Sequence, residues 1–437
     1  MEHQLLSVAI DDTDSQYGGC TTHLTGLILK ELGNRALLAD YPLLVRLNPN
    51  IPWRTRGNAA TVLRLLYDGD PKELMETLWS IIEEYTEPRP PLPGKSPGLV
   101  VAPGSPWESE RLRWLYRKAL SDVVTLDVAT ESLSKYGALW RGGRGVIGAA
   151  SSLAALSPGE PYTFELTFYR RPENWGSRRC VYSDKVAYLE GQSSGTLNNL
   201  ELDEGTTSAA PGGPDPVLAG FRGTDPGELW RFDEALCERP HFAVLYRSNQ
   251  HTGVHLQAQE PRIYRSVNIT VTVRSPPLKL PGGHVIVEVS DGVNTYDAAF
   301  YEDSGPLARA AELLYPGDVI IIAGGVRPYS PRGKLTISVE AMKVVGVAQR
   351  RVQVPPRCPR CGARMESLGR GKGYRCPRCG LRSSGHKQSL VVERELLPGS
   401  YYYKIGRARH LSPVGARLPT MDRLPVTINV SDVLRVY

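Results

Sequence analysis

Residues 5–25 read LLSVAIDDTDSQYGGCTTHLT, an apolar run ending in three carboxylates, then a glycine pair, two threonines and a further apolar stretch. Leu5 to Ile10 has the composition of a buried strand, and Leu24 to Leu32 that of a helix, so this is a strand–turn–helix unit of an α/β layer. Ligands of open α/β layers bind at the carboxyl ends of strands. Here that end carries Asp11, Asp12 and Asp14, followed by the Gly18-Gly19 turn, Thr21 and Thr22. Backbone N–H groups at a glycine turn and a helix N-terminus cradle phosphate. Crowded carboxylates call for a neutralising cation, and hard oxygen ligands suit Mg²⁺. The same residues also fit a solvated turn that caps the next helix. They are not a Walker loop, because the Gly-Lys-Ser/Thr ending is missing.

A second stretch, RLNPNIPWRTRGN (residues 46–58), tips the balance toward a site. Its two prolines exclude a regular helix or central strand, and Arg54 and Arg56 supply guanidinium forks that match phosphate geometry. A third, RGGRGVIG (residues 141–148), is a basic glycine turn opening an alanine-rich helix, with Arg144 and Gly145 as further phosphate candidates. The leftover Cys20 lies inside this region with no base beside it in sequence and reads as a small packing residue.

Downstream, Cys358-x₂-Cys361 and Cys376-x₂-Cys379 are two zinc knuckles, each followed by glycine. Four thiolates complete a tetrahedral shell with no position left for water, so the implied Zn²⁺ is structural. An iron centre uses the same four sulfurs. Arg360, Arg375 and Tyr374 stand around the knuckles as candidates for contact with nucleic acid. The residues ahead of the ribbon alternate in five short strands between Val267 and Val339, with a helix from Pro306 to Leu314 before the fourth, the pattern of an OB barrel. After the ribbon, Tyr401-Tyr402-Tyr403-Lys404 and Arg407-Ala408-Arg409 interleave aromatics and cations. That fits stacking on unpaired bases and equally fits a strand packed on the barrel.

The chain has 437 residues, 41% of them hydrophobic, which supports several globular domains and not disorder. No apolar run reaches the length of a membrane span and no signal-type N-terminus is present, so membrane partners are not expected. Four of seven cysteines stand in metal-type pairs, which argues for a reducing cytoplasm and against a disulfide scaffold. Net charge is +6, but residues 346–437 hold 18 Lys+Arg against 5 Asp+Glu, a local balance of +13. A basic tail on a mildly acidic body is the footprint of a polyanion binder.

IDDTDS, GGCTT, RLNPNIPWRTRGN, PGGPDPVLAGFRG (residues 211–223), RSNQHTGVHL (residues 247–256) and the zinc-ribbon pattern together resemble the archaeal 2-agmatinylcytidine synthetases. That family usually has Met where Gly19 stands and Gly where Ala59 stands. The resemblance implies a multidomain α/β and α+β chain. Its parts would be a kinase-like ATP-binding domain at residues 1–157, a ferredoxin-like domain at 158–265 and an OB-fold at 266–349. A zinc ribbon at 350–392 and a basic tRNA-binding segment at 393–437 would follow.

It further implies an ATP-dependent ligase joining agmatine to C2 of the wobble cytidine of the CAU-anticodon isoleucine tRNA, with AMP and pyrophosphate released. Asp11, Asp12, Asp14, Thr21, Arg54 and Arg56 would be catalytic, and Gly18, Gly19, Thr22, Arg144 and Gly145 would bind the phosphates. The same resemblance makes Thr21 a site of autophosphorylation. Asp215 in the GGPDP turn is the candidate for agmatine. Two rival readings are a noncatalytic single-stranded nucleic-acid-binding protein, which leaves the carboxylates unexplained, and a small-molecule kinase with a nucleic-acid tether.

Overall fold

The computed structural model describes residues 3–15, 18–33, 37–54, 57–87, 95–201, 206–330, 332–404, 410–413, 417–424 and 427–437. The apolar run becomes β1 (Gln4–Asp11), buried on both faces because it lies mid-sheet. Helix α1 (Thr21–Leu32) follows and ends at Gly33, whose positive φ of 49° reverses the chain. Then come β2 (Leu43–Arg46), β3 (Ala59–Tyr67), α2 (Pro71–Thr86) and β4 (Gly98–Pro103). Helices α3 (Glu110–Ser121) and α4 (Leu126–Tyr136), β5 (Leu139–Gly142) and α5 (Gly145–Ser152) complete the first half. Strands β6 (Thr163–Tyr169), β7 (Val217–Gly223) and β8 (Phe242–Ser248) form the second.

Helix starts follow local chemistry. Asp70 caps α2 by accepting from the Lys72 N–H, with Pro71 at the first helical position. α3 begins at Glu110 behind a Ser109 cap, and Pro106–Glu108 ahead of it forms a short 3₁₀ turn of its own. The buried face of α2 is Leu74, Met75, Leu78, Trp79 and Ile82. Tyr85, near the end of the same helix, turns its hydroxyl to the Cys20 N–H at 3.0 Å.

The two halves share one sheet, ordered β7-β6-β8-β2-β3-β1-β4-β5. β1 runs antiparallel to both neighbours, and the seam between the halves is the parallel pair β8–β2. One apolar core lies under α1 and α2 and another under α3 to α5. The seam is locked by a charge cluster that no sequence pattern announces. Arg64 Nη1 donates to Asp40 Oδ2 at 2.7 Å, and Arg247 from β8 donates to both oxygens of the same carboxylate. The carbonyls of Ala155 and Leu156 accept from Arg64 and Arg247 at 2.8 and 3.0 Å. Trp107 stacks 4.2 Å from the Arg64 guanidinium. All three charged residues are at most 1% exposed, and burial lowers Arg64 to about 10 against the pull of Asp40.

Strands β9 (Ser266–Val273), β10 (Val285–Ser290), β11 (Thr295–Phe300), β12 (Val319–Tyr329) and β13 (Leu335–Gly346) form the barrel. It closes through β9–β10, with β11 and β13 parallel and the helix Pro306–Glu312 before β12, as expected for an OB-fold. Tyr401–Tyr403 pairs with β13, so the tyrosine run is a barrel strand. Two strands, Arg350–Val354 and Gln388–Val392, pair as a stem, and the zinc ribbon stands at its tip.

The chain then returns to the first body. Leu411 enters the core, Ile428 bridges Leu38, and Leu434–Val436 pairs with β8. Arg407 and Arg409 lie outside the described residues. One pair departs from the expectation of reduced thiols: Cys180 and Cys237 form a disulfide, 57 residues apart in sequence but with Cα atoms 5.3 Å apart. The bridge Val181–Leu236 sets their segments side by side, a proximity invisible in the spacing.

Removing the carboxylate at the seam leaves two buried guanidiniums uncompensated. Asp40→Asn is expected to cost about 3–5 kcal/mol in urea unfolding, far more than a surface carboxylate.

Candidate active site

The carboxyl end of β1 meets the N-termini of α1 and α5 in a cavity of about 380 Å³. The sequence permits this approach at three glycines. A Cβ on Gly145 would stand 2.5 Å from the Asp11 carbonyl, and one on Gly148 would fall on Asp11 Oδ2 and 2.7 Å from its Cγ. Gly98 is equally tight, against the start of α5. Both helices begin at the cavity and neither has an acidic residue in its first turn, but in α5 the N–H groups of Gly145, Val146 and Ile147 are already taken by the carbonyls of Ser96, Gly143 and Arg144.

Asp11 Oδ1 accepts the Asp12 N–H at 2.7 Å. Asp12 sits at a positive φ of 56°, with Oδ2 held by Arg144 Nε at 3.1 Å and Nη2 at 2.8 Å. Burial and then the neighbouring Asp12 push Asp11 well above the usual carboxylate range. Burial also lifts Asp12 to about 6, with Arg144 pulling the other way. Asp14 is buried beside Lys95, and the Lys95 Nζ lies 3.6 Å from where a Gly19 Cβ would be. Gly18 and Gly19 take φ of 145° and 79°. Thr21 opens α1 with its hydroxyl accepting from Thr13 Oγ1 at 3.1 Å, and α1 has no side-chain cap. Thr22 Oγ1 lies 3.0 Å from Cys20 Sγ, and both residues line the cavity.

Of the arginine loop, Arg54 lines the cavity and donates to the Pro49 carbonyl at 2.9 Å. Arg56 lies outside the described residues. The loop's amides serve packing: Asn48 Nδ2 donates to Tyr264 O and Asn50 Nδ2 to Ser266 Oγ, each at 2.8 Å. A Cβ on Gly325 of β12 would come within 2.6 Å of Asn50 Cγ, so this loop is the seat of the barrel. Asp215 lines the cavity, with Oδ1 accepting from Arg179 at 3.3 Å and from the Val217 N–H at 3.0 Å.

Sequence reading missed a second polar group in the same cavity: Arg46, Glu165, Arg222 and His410. Glu165 Oε2 stands 3.7 Å from Arg46 Nη2 and 3.9 Å from Arg222 Nε. Burial would raise this carboxyl, but the two arginines, Gln250 and Thr167 outweigh it and hold it below its ordinary value. Arg46 opens the arginine loop and Arg222 lies in the PGGPDPVLAGFRG stretch, but nothing local links them to Glu165 or His410, which they meet only through β2, β6, β7 and the returning tail.

The four cysteine Sγ atoms lie within 4.8 Å of one another, the one such group of three or more ligand side chains found among the described residues. Gly362 and Gly380, at φ of 71° and 73°, close the knuckles with N–H bonds to the Cys358 and Cys376 carbonyls. This donor set fits a structural zinc. Arg360 and Arg375 are exposed around it. Tyr374, expected as a stacking face, is a correction: its ring packs with Cys358, Met365 and Cys376 as the ribbon's small core. His251 and His255 are buried, and each bonds protein groups instead of a metal set: the Ser412 carbonyl and Glu340.

This fold and cavity define a class of multidomain α/β chains that join an acidic, glycine-lined cavity to a five-strand barrel and a zinc ribbon. Family models match as the TiaS TCKD domain over residues 7–69, the TiaS FLD domain over 143–255 and the TiaS C-terminal zinc ribbon over 355–396. The isoleucine-tRNA 2-agmatinylcytidine synthetase TiaS of Staphylothermus marinus is 38% identical over 431 residues, covering 94% of this chain and 93% of its own. That of Methanosarcina acetivorans is 36% identical, covering 94% and 97%. The chain belongs to the family of tRNA 2-agmatinylcytidine synthetases that act on this isoleucine tRNA. Among solved structures, apo TiaS aligns with a TM-score of 0.82 and 31% identity, covering 96% of this chain and 99% of that one. The complex of TiaS with its isoleucine tRNA and ATP aligns with a TM-score of 0.82 and 30% identity, covering 96% and 100%.

Gly→Ala inside a helix ordinarily stabilises by about 0.5–1 kcal/mol. At Gly148 the sign should reverse, because the new methyl displaces Asp11, with an expected loss of about 1–3 kcal/mol. Thermal melting and ATP turnover of Gly148→Ala check this, and turnover should fall with the melting temperature.

Proposed function

We propose that the cavity transfers phosphoryl groups from ATP, and that the enzyme joins agmatine to C2 of the wobble cytidine of the CAU-anticodon isoleucine tRNA, which permits reading of AUA. The observation that carries this is the convergence of the β1 carboxylates with two helix N-termini in one cavity, in a chain 38% identical to TiaS over 94% of its length. The solved complex of TiaS with its isoleucine tRNA, AMPCPP and agmatine, with a TM-score of 0.79 and 27% identity, supports the same substrates.

The C2 carbonyl of cytosine is a poor electrophile. Phosphorylating its oxygen makes it a leaving group, so that the primary amine of agmatine attacks C2 and phosphate departs with the oxygen. The N-terminus of α1, the Gly18-Gly19 turn, Arg144 and Lys95 would hold the triphosphate, with the positive end of the α5 dipole behind them. Arg54 and Arg56 would offset charge on the transferred group. Mg²⁺ takes one or two carboxylates and completes its shell with phosphates and water. Asp11 and Asp14 suit this role, with Asp12 oriented by Arg144. When bound, the ion would neutralise charge on the phosphates. Asp215 would meet agmatine at the rim, although Arg179 already shares its charge. The OB barrel and ribbon would hold the tRNA so that the wobble base leaves its stack and enters the cavity. We place the enzyme in the cytoplasm, with its tRNA. No helix among the described residues is long and apolar enough to cross a membrane.

The direct test is incubation with ATP, labelled agmatine and a transcript of the CAU-anticodon isoleucine tRNA, followed by nucleoside mass analysis. Asp12→Asn keeps volume and removes charge, and incorporation should fall by orders of magnitude with little change in melting. Thr21 caps nothing, so Thr21→Ala should likewise keep its fold while losing activity. Normal incorporation by both variants would move the chemistry elsewhere.

The ribbon's stem ends at the pair Val354–Gln388, so a two-residue turn can replace residues 355–387 without opening the barrel. That protein should still bind ATP. Its tRNA affinity should drop, and the slope of log K against log salt should flatten by roughly 0.7–0.9 for each phosphate that the ribbon had neutralised. Filter binding across a salt series measures both.

A further inference from the structure

His410 comes from the returning tail and stands at the inner wall of the cavity, in a chain of hydrogen bonds that fixes which of its nitrogens carries hydrogen. Glu165, held ionised between Arg46 and Arg222, is an acceptor only. Gln250 Nε2 donates to Glu165 Oε2, and turning the amide over would set its oxygen against a carboxylate. Gln250 Oε1 therefore faces His410 Nδ1, 3.0 Å away, and can only accept. Nδ1 must carry the hydrogen, which leaves Nε2 as a bare lone pair. Burial, then Arg46, Arg222, His251 and Arg54, lower this imidazole well below its ordinary value, so it stays neutral. Nε2 lies beside Gly57, 3.2 Å from where a Cβ would stand, and Arg46 Nη1 lies 2.5 Å from the same point. Arg46, Gly57 and His410 all line the cavity, so an acceptor and a guanidinium donor stand side by side in its wall.

We propose that His410 Nε2 accepts a hydrogen bond from the exocyclic amine of the cytosine that enters the cavity, making it a base-specificity residue. This rests on the cytidine-directed reading above. Along its pairing edge cytosine presents an amine donor and then two acceptors, N3 and O2. A neutral imidazole beside an arginine is complementary to that order. Uracil presents a carbonyl where cytosine has its amine, which would set oxygen against the Nε2 lone pair. The tautomer cannot adjust, because Gln250 and Glu165 hold it. The amine substrate fits this corner badly, since two arginines against one carboxylate leave it cationic.

The test is a double-mutant cycle on the full-length protein with isoleucine tRNA transcripts carrying at the wobble position either cytidine or its analogue lacking the 4-amino group. The analogue keeps N3 and the C2 carbonyl. Wild-type protein should lose roughly 10–100-fold in kcat/KM on the analogue, as a site left with an unmatched acceptor does. His410→Ala should lose a similar factor on cytidine and almost nothing further on the analogue. Gln250→Leu keeps the imidazole and frees its tautomer, and should shrink the preference for cytidine even if His410→Ala folds poorly. Equal losses on both transcripts, or an unchanged preference in Gln250→Leu, would overturn the assignment. Failure of wild-type protein to attach agmatine to the cytidine transcript would instead overturn the proposed function.

Discussion

One carboxylate, Asp40, governs the molecule's construction. It is buried completely and serves two arginines from opposite halves of the sheet, Arg64 on β3 and Arg247 on β8. Two positive charges on one negative charge would be untenable in an apolar interior without further acceptors. The carbonyls that follow α5 supply them, and aromatic faces of Trp107 and Tyr162 cover the guanidiniums. The cluster therefore ties the sheet halves and the end of α5 to a single register. Because α5 begins at the cavity, the charge cluster at its far end also sets where its N-terminus points.

The cavity inherits its character from that seam. On one side stand carboxylates, glycines and helix N-termini, contributed by the first half. On the other stand Glu165, Arg222 and the GGPDP turn of the second half. Asn48 and Asn50 continue the arrangement outward by fastening the barrel to the loop that carries Arg54. The two sides of the cavity and the barrel are thus joined by one continuous set of contacts.

Much of this was legible in the chain, and the rest has identifiable reasons for being hidden. The β1–α1 unit, the barrel strands and the zinc knuckles carry local patterns whose period and spacing suffice. Asp40, Glu165, Gln250 and His410 carry none, since their importance comes from partners 85, 160 and 207 residues away, a spread set by the sheet and the returning tail. The asparagines of the proline loop fasten it to the barrel, a role that nothing in their spacing announces. Tyr374 misled for a related reason: beside four cysteines, an aromatic ring completes a core too small to form without it. Composition likewise could not bring Cys180 and Cys237 together.

The path of the tail has a consequence for synthesis. Barrel, stem and ribbon are all threaded between β8 and the segment that supplies His410, Leu411 and the strand Leu434–Val436. A ribosome must therefore finish the barrel and the ribbon before His410 can reach the cavity. Chains that stop before that segment leave an edge of β8 unpaired and lack His410 at the cavity. Only a chain that extends through this segment pairs the edge of β8 and brings His410 to the cavity, and by then barrel, stem and ribbon have already been made.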